Sequence, residues 1–136
     1  MTLTLKQVQA GIAAALRKAE ELNSPSSIAV VDGGRNLVGF VRMDGALLAS
    51  IEISQGKAYT SRSLNMKTGD VMALVQPGGP LYGMENSHAR PLVVFAGGVP
   101  VTIDGTVAGA VGVAGGMPND DEAIAEAGAN AIAAAK

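Results

Sequence analysis

The sequence predicts an α/β (α+β) domain: a five-stranded antiparallel sheet flanked by helices. Three observations carry that prediction. Apolar residues fall three or four apart near the two ends, five short β-rich runs lie between, and Gly-containing turn signals join neighbouring runs. The length of 136 residues is enough for one real core, so residues 1–136 are read as a single domain.

Leu5, Val8, Ile12, Leu16, Ala19 and Leu22 form one stripe on a first helix. Thr4 and Gln7 have the spacing of a capping box, and Asn23 suits the left-handed position after the last turn. Ser24-Pro25-Ser26 breaks the helix. Ile28–Val31 and Leu37–Val41 read as two strands around the turn signal Asp32-Gly33-Gly34.

A second helix is expected from about Ala46 to Leu64, with Asp44 or Gly45 near its cap. Gly56 inside it costs about 1 kcal/mol against alanine, which points to close packing there. Thr68 is expected to cap a short helix reaching about Val75. The stretch from Gln76 to Arg90 holds Pro77-Gly-Gly-Pro80 and is the longest loop; loops of that length are functional or mobile. Three strands follow, at Leu92–Phe95, Val99–Ile103 and Thr106–Val113. Gly97-Gly98 marks a bend or bulge, and Asp104-Gly105 a two-residue hairpin turn. Asn119 and Glu122 suggest a second capping box. The last helix then carries a small-residue face at Ile124, Gly128, Ala131 and Ile132.

Composition narrows the function. Hydrophobic residues make up 48% and charged residues 16%, which is a globular balance, but aromatics are only 3%. A net charge of −2 without a basic run disfavours nucleic acid. With no cysteine, disulfides, thiolate nucleophiles and thiolate metal sites are excluded. No apolar run approaches the roughly 20 residues that span a bilayer, and the start does not read as a secretory signal. The expectation is a soluble cytoplasmic protein. Helices rich in Ala and Gly bury little area each, so a homo-oligomer is expected.

Several stretches in register resemble the GlcG/HbpS/PduO C-terminal-domain family. They are Ala29-Val-Val-Asp-Gly-Gly34, Phe40-Val-Arg-Met-Asp-Gly-Ala46, Ser50, Lys57-Ala58, Thr68, Phe95-Ala-Gly-Gly-Val-Pro100, Asp104-Gly105, Gly109-Ala-Val-Gly-Val-Ala-Gly-Gly116 and Asp121-Glu122-Ala123. The resemblance spans nearly the whole chain. It implies a profilin-like fold, a homo-oligomer that is often an octamer, and a pocket in which some members bind haem. Some members are thought to use a histidine near the first helix, and here Leu5 to Leu22 contains none.

Three constellations could carry chemistry. His88 is the only histidine; it is the candidate haem-iron ligand or acid/base, against the alternative of a solvent-facing loop residue. Tyr59, Tyr82 and the methionines are further possible ligands. Arg42 and Lys57, with Asp44, could converge on a carboxylate such as a haem propionate or a small organic acid; the alternative is an ion pair with Asp44. Gly112, Gly115 and Gly116 offer a wall for a flat ligand, or a tight subunit contact. Their spacing is not the dinucleotide fingerprint, and Asp120, Asp121 and Glu122 would repel a phosphate. A ligand pocket is therefore expected between Arg42–Lys57 and the glycines, with the 76–90 loop as a lid carrying Tyr82 and His88.

The expected function is binding of a small ligand, haem or a small organic acid, within an oligomer. The alternative is a cofactor-free isomerase, hydratase or hydrolase acting on a small carboxylated metabolite through Lys57, His88 or an Asp. No Gly-x-Ser-x-Gly elbow and no metal-ligand spacing is present.

Overall fold

A computed structural model describes residues 2–135; Met1 and Lys136, the ends of the expected domain, lie outside the described residues. The element order is α1 (Leu5–Glu21), β1 (Ser27–Asp32), β2 (Leu37–Arg42), α2 (Ser50–Leu64), α3 (Thr68–Val71), β3 (Gly98–Ile103), β4 (Thr106–Ala114) and α4 (Pro118–Ala134). Short 3-10 turns occupy Met72–Leu74 and Met84–Asn86.

The sheet has four strands in the order β2-β1-β4-β3, every neighbour antiparallel. This corrects the expected five. Leu92–Phe95 is extended in composition but pairs with no strand. Its backbone is committed elsewhere: Val93 N–H donates to the Thr60 hydroxyl on α2 at 2.9 Å, and Leu92 N–H to Glu85 O at 3.1 Å. The segment lies against α2 as a strap, and Gly56 is the reason it can. A Cβ at Gly56 would stand 2.6 Å from Val93 Cγ2.

Alternation along the strands separates two unequal faces. Ile28, Val30, Val111 and Val113 point to the side covered by α1 and α4, where they meet Val8, Ala15, Ala19, Ile124 and Ile132 in the main core. Ala29, Val31 and Ala110 point to the other side and meet Ala58 of α2. Small side chains there let α2 lie unusually close. At Gly112 a Cβ would overlap Ser54 O and stand 3.0 Å from Ala58 Cβ. On the opposite side α1 and α4 cross at Gly11 and Gly128; a Cβ at Gly128 would meet Gly11 O at 3.2 Å. The first and last helices thus pack together on the sheet, as expected, although Ala129 and not Ala131 completes the buried face of α4.

Local signals behave according to how local they are. Thr4 and Gln7 form the capping box, and Asn23 takes φ +55° beyond α1. Asp104 and Gly105 take φ +51° and +78°, the pair of left-handed conformations a two-residue hairpin demands. In the first hairpin the left-handed residue is Arg35, at φ +67°, and not either glycine. Asp32 compensates, accepting from the N–H groups of Gly34 and Asn36, both at 2.9 Å. Helix α2 begins at Ser50 and not Ala46, because Gly45 (φ +83°) and two tight turns precede it. Thr68 does not cap α3; its hydroxyl accepts from Gly98 N–H at 2.8 Å and ties the helix to β3. Neither does Asn119 cap α4, whose N-cap is Met117 with Pro118 at the first position.

Candidate functional site

Two places in the fold gather side chains that can do chemistry, and the expected residues are divided between them.

The first is a pocket of about 120 Å³ at the end of β4, between the start of α2 and the start of α4. Lys57 lies on the sheet-facing side of α2, among Ser50, Ser54, Ala58 and Ser61, all of them buried. A lysine on a face of small side chains must find its partners inside. Its Nζ donates to Val113 O at 2.8 Å and to Asp121 Oδ2 at 3.1 Å, and stands 4.9 Å from the Phe95 ring centroid. Both charged side chains are at most 2% exposed. Asp121 is held in turn by Gly116 N–H, which donates to Oδ1 at 3.0 Å. Burial lowers the Lys57 pKa from 10.5, and the adjacent Asp121 carboxylate opposes that shift.

The backbone is shaped around this pair. Gly97, at φ +135°, passes so close that a Cβ would stand 2.5 Å from Lys57 Nζ. Gly115, at φ +136°, passes equally close to Pro25 O. Gly115 and Gly116 line the pocket together with Leu47, Ile53, Phe95 and Ala114. Gly112 lies outside it, pressed beneath α2.

Other expected members stand apart. Arg42 is exposed and donates to Ala46 O at 2.7 Å, closing the loop before α2. Asp44 is exposed, and among the described residues it pairs with neither Arg42 nor Lys57. Tyr82 is 69% exposed. No residue of the 76–90 loop lines the pocket, so the structure does not place that loop over it as a lid.

His88 belongs to the second place, a polar depression of about 190 Å³ lined by Gly33, Arg35, Arg62, Ser63 and His88. Tyr59 packs against two of these residues, Arg35 and His88. The Arg35 guanidinium carbon lies 4.7 Å from the Tyr59 ring centroid and that of Arg90 lies 5.2 Å away, both within cation–π range. The His88 ring meets Tyr59 edge-on, with centroids 6.0 Å apart. His88 Nδ1 is 2.9 Å from the Ser87 hydroxyl, which leaves Nε2 as the nitrogen open to a ligand.

The guanidiniums are positioned by neutral groups. Arg35 donates to the Tyr59 hydroxyl and to Ser63 Oγ, and Arg62 to Gly33 O and Asn65. Among the described residues no carboxylate lies within ion-pair distance of Arg35, Arg62 or Arg90. Arg90 also borders a second depression of about 370 Å³, lined in addition by Glu52, Ile53, Gly56, Pro91 and Val93.

Sequence reasoning missed Asp121, Phe95 and the arginines Arg35, Arg62 and Arg90. Asp121 was legible only as a helix-start charge. The available signal was Lys57 itself, a long cation amid Ser54, Ala58 and Ser61 on one helix face. The arginines come from a turn, a helix and a loop, far apart in sequence. Their convergence has no local signature.

Comparison with known proteins places the chain in a family and agrees with the fold. The family described as "Haem degrading protein HbpS-like" matches residues 3–130. A 15.0 kDa protein from the dhaT-dhaS intergenic region of Citrobacter freundii is 42% identical over 125 residues, covering 92% of this chain and 88% of that one. Among solved structures, the Klebsiella pneumoniae protein ORFY superimposes with a TM-score of 0.96 at 37% identity, covering 100% of this chain and 94% of its own. PduOC, solved as a haem complex, superimposes with a TM-score of 0.91 at 31% identity, covering 96% and 95%. No helix among the described residues is long and apolar enough to cross a membrane.

Proposed function

Because the chain belongs to the HbpS-like family, we propose that it is a binding protein for a small carboxylated ligand, haem first and a small organic acid second, held reversibly and within a homo-oligomer. The single observation that carries this reading is a set of cations meeting at one surface: Arg35, Arg62 and His88 line one depression, and Arg35, Arg90 and His88 all pack on Tyr59. Three guanidiniums near one another repel unless an anion joins them, and planar guanidinium is suited to carboxylate.

The residues present fit haem. His88 Nε2 would ligate the iron, the arginines would pair with propionates, and the depression bordered by Arg90 offers a mostly apolar wall, with Glu52 as its one carboxylate, for one edge of the ring. Haem bound there would supply an iron centre open to redox and oxygen chemistry; the chain would bind and orient it. With one imidazole in a half-buried loop position, weak and transferable binding is the expectation. The 120 Å³ pocket at Lys57 has no iron donor and is too small for a porphyrin.

The test is a haem titration. The broad Soret band of free haem should sharpen and shift on binding, and His88→Ala should change the position of the bound band. Arg35→Gln with Arg62→Gln should weaken binding about tenfold, since exposed charged hydrogen bonds sit at the low end of the usual 1.5–3 kcal/mol. Haem dimethyl ester, which lacks free propionates, should bind the unaltered chain that much more weakly. A Soret band identical to that of free haem removes haem. An unchanged spectrum in the alanine variant removes His88 from the site.

A further inference from the structure

The Lys57 pocket has a different electrostatic character, and that character selects a different ligand. Lys57 is already neutralised by Asp121 at 3.1 Å, with both side chains buried. A carboxylate entering would meet no net positive charge and would lie beside an existing carboxylate. The cleft therefore does not select an acid. An ammonium has three N–H donors, and Lys57 gives one to Val113 O and one to Asp121. The third is uncommitted among the described residues, at the floor of a cleft whose walls include Leu47, Ile53 and Phe95. A neutral molecule with one acceptor oxygen and a short apolar body suits both surfaces. At about 30 Å³ per water-sized unit, 120 Å³ holds on the order of four non-hydrogen atoms.

We propose that this pocket binds a small aldehyde or ketone and that Lys57 condenses with it to an imine. Geometry supplies the amine, its proton acceptor and the cleft. Asp121 takes a proton from the Lys57 ammonium, giving a neutral amine beside a neutral carboxylic acid. The amine lone pair attacks the carbonyl carbon, and the surplus nitrogen proton passes to the carbonyl oxygen, giving a neutral carbinolamine. Asp121 then returns its proton to the hydroxyl, which leaves as water while the nitrogen lone pair forms the C=N bond. The product is a protonated imine paired with the Asp121 carboxylate, so charge and atoms balance without a further reactant. Gly116 N–H on Oδ1 keeps Asp121 aimed at Lys57 through both transfers. The depressed proton affinity that burial gives Lys57 favours the first of them.

The experiment uses the whole chain with propanal and cyanoborohydride, which traps an imine as a stable propyl amine. Peptide mass spectrometry then compares Lys57 with Lys6 and Lys18 as surface references. At limiting propanal, Lys57 should be alkylated roughly tenfold faster than either surface lysine, as expected of a desolvated amine with a positioned proton acceptor. Ala49→Trp narrows the cleft, which Ala49 lines, without replacing either charged residue. That variant, once circular dichroism shows it folded, should lose the Lys57 adduct while Lys6 and Lys18 react as before. Surface lysines labelled with Lys57 bare in the unaltered chain would overturn the proposal. So would an Ala49→Trp chain that labels Lys57 at the original rate. Neither result bears on haem at His88, so the two readings fail separately.

Discussion

Replacing Lys57 by methionine keeps the length of the side chain and removes its charge. Asp121 would retain Gly116 N–H but lose the only cation within ion-pair distance among the described residues. Val113 O would lose its ammonium donor as well. Stranding one member of a buried pair costs about 3–5 kcal/mol, a large share of the roughly 5–15 kcal/mol that stabilises a domain. Asp121→Asn should cost less, about 2–3 kcal/mol: Lys57 keeps Val113 O and can shed its proton. The double change Lys57→Met with Asp121→Leu removes both charges, and such replacements are often close to neutral. Urea unfolding of these chains, with Asp121→Leu alone added, closes the cycle. The reasoning predicts a double variant more stable than Lys57→Met alone. It also predicts a pH signature. Because the folded Lys57 pKa is lowered, the unfolded chain binds more protons between that value and 10.5, so this residue's contribution to stability rises with pH across that window. The methionine variant should lose that slope. Additive single effects, or a Lys57→Met cost below about 1 kcal/mol, would show that the pair is not what organises this end of the sheet.

Gly112→Ala should lower the melting temperature sharply, because its Cβ meets the backbone of Ser54 and Ala58 and α2 must lift; overpacking of this kind costs about 1–3 kcal/mol or more. A melting temperature equal to that of the unaltered chain would mean that α2 lies less close than described. Asp32 is held below its ordinary 3.8, chiefly by Asn36 N–H, so its contribution to stability is present above 3.8 and lost as pH falls through the lower folded value. The amide shifts of Gly34 and Asn36 should titrate together in that acid range and stay flat in Asp32→Asn. Light scattering at micromolar concentration should report two or more chains, with Leu47 and Leu48, 65% and 75% exposed, as candidates for coverage; a monomer would refute assembly.

What the sequence made legible was whatever is decided within a few residues. The Thr4–Gln7 box, Asn23 and the Asp104-Gly105 turn depend on their own neighbours, and each forms as expected. Leu92–Phe95 has strand-like composition, but whether it becomes a strand depends on a free sheet edge. Thr60 on α2 takes its Val93 N–H first. Lys57 is a candidate legible in the sequence, whereas its partner is not, because Asp121 is 64 residues away and reaches it only once α4 docks. Expected convergence of Arg42 on Lys57 failed for a local reason: the Ala46 carbonyl is nearer.

The strand order β2-β1-β4-β3 has a consequence for the newborn chain. Strand β1 sits between its immediate successor and a strand that begins at Thr106, so half of its ladder must wait until most of the polypeptide exists. During that wait Ser27–Asp32 presents an unpaired edge of consecutive apolar residues, the surface on which nascent chains stick to one another. Contacts of such long sequence separation also slow folding, since loop closure must come before they form. A ribosome-stalled chain ending before Thr106 should therefore remain protease-sensitive and prone to aggregate, and protection should arrive abruptly once β4 has emerged.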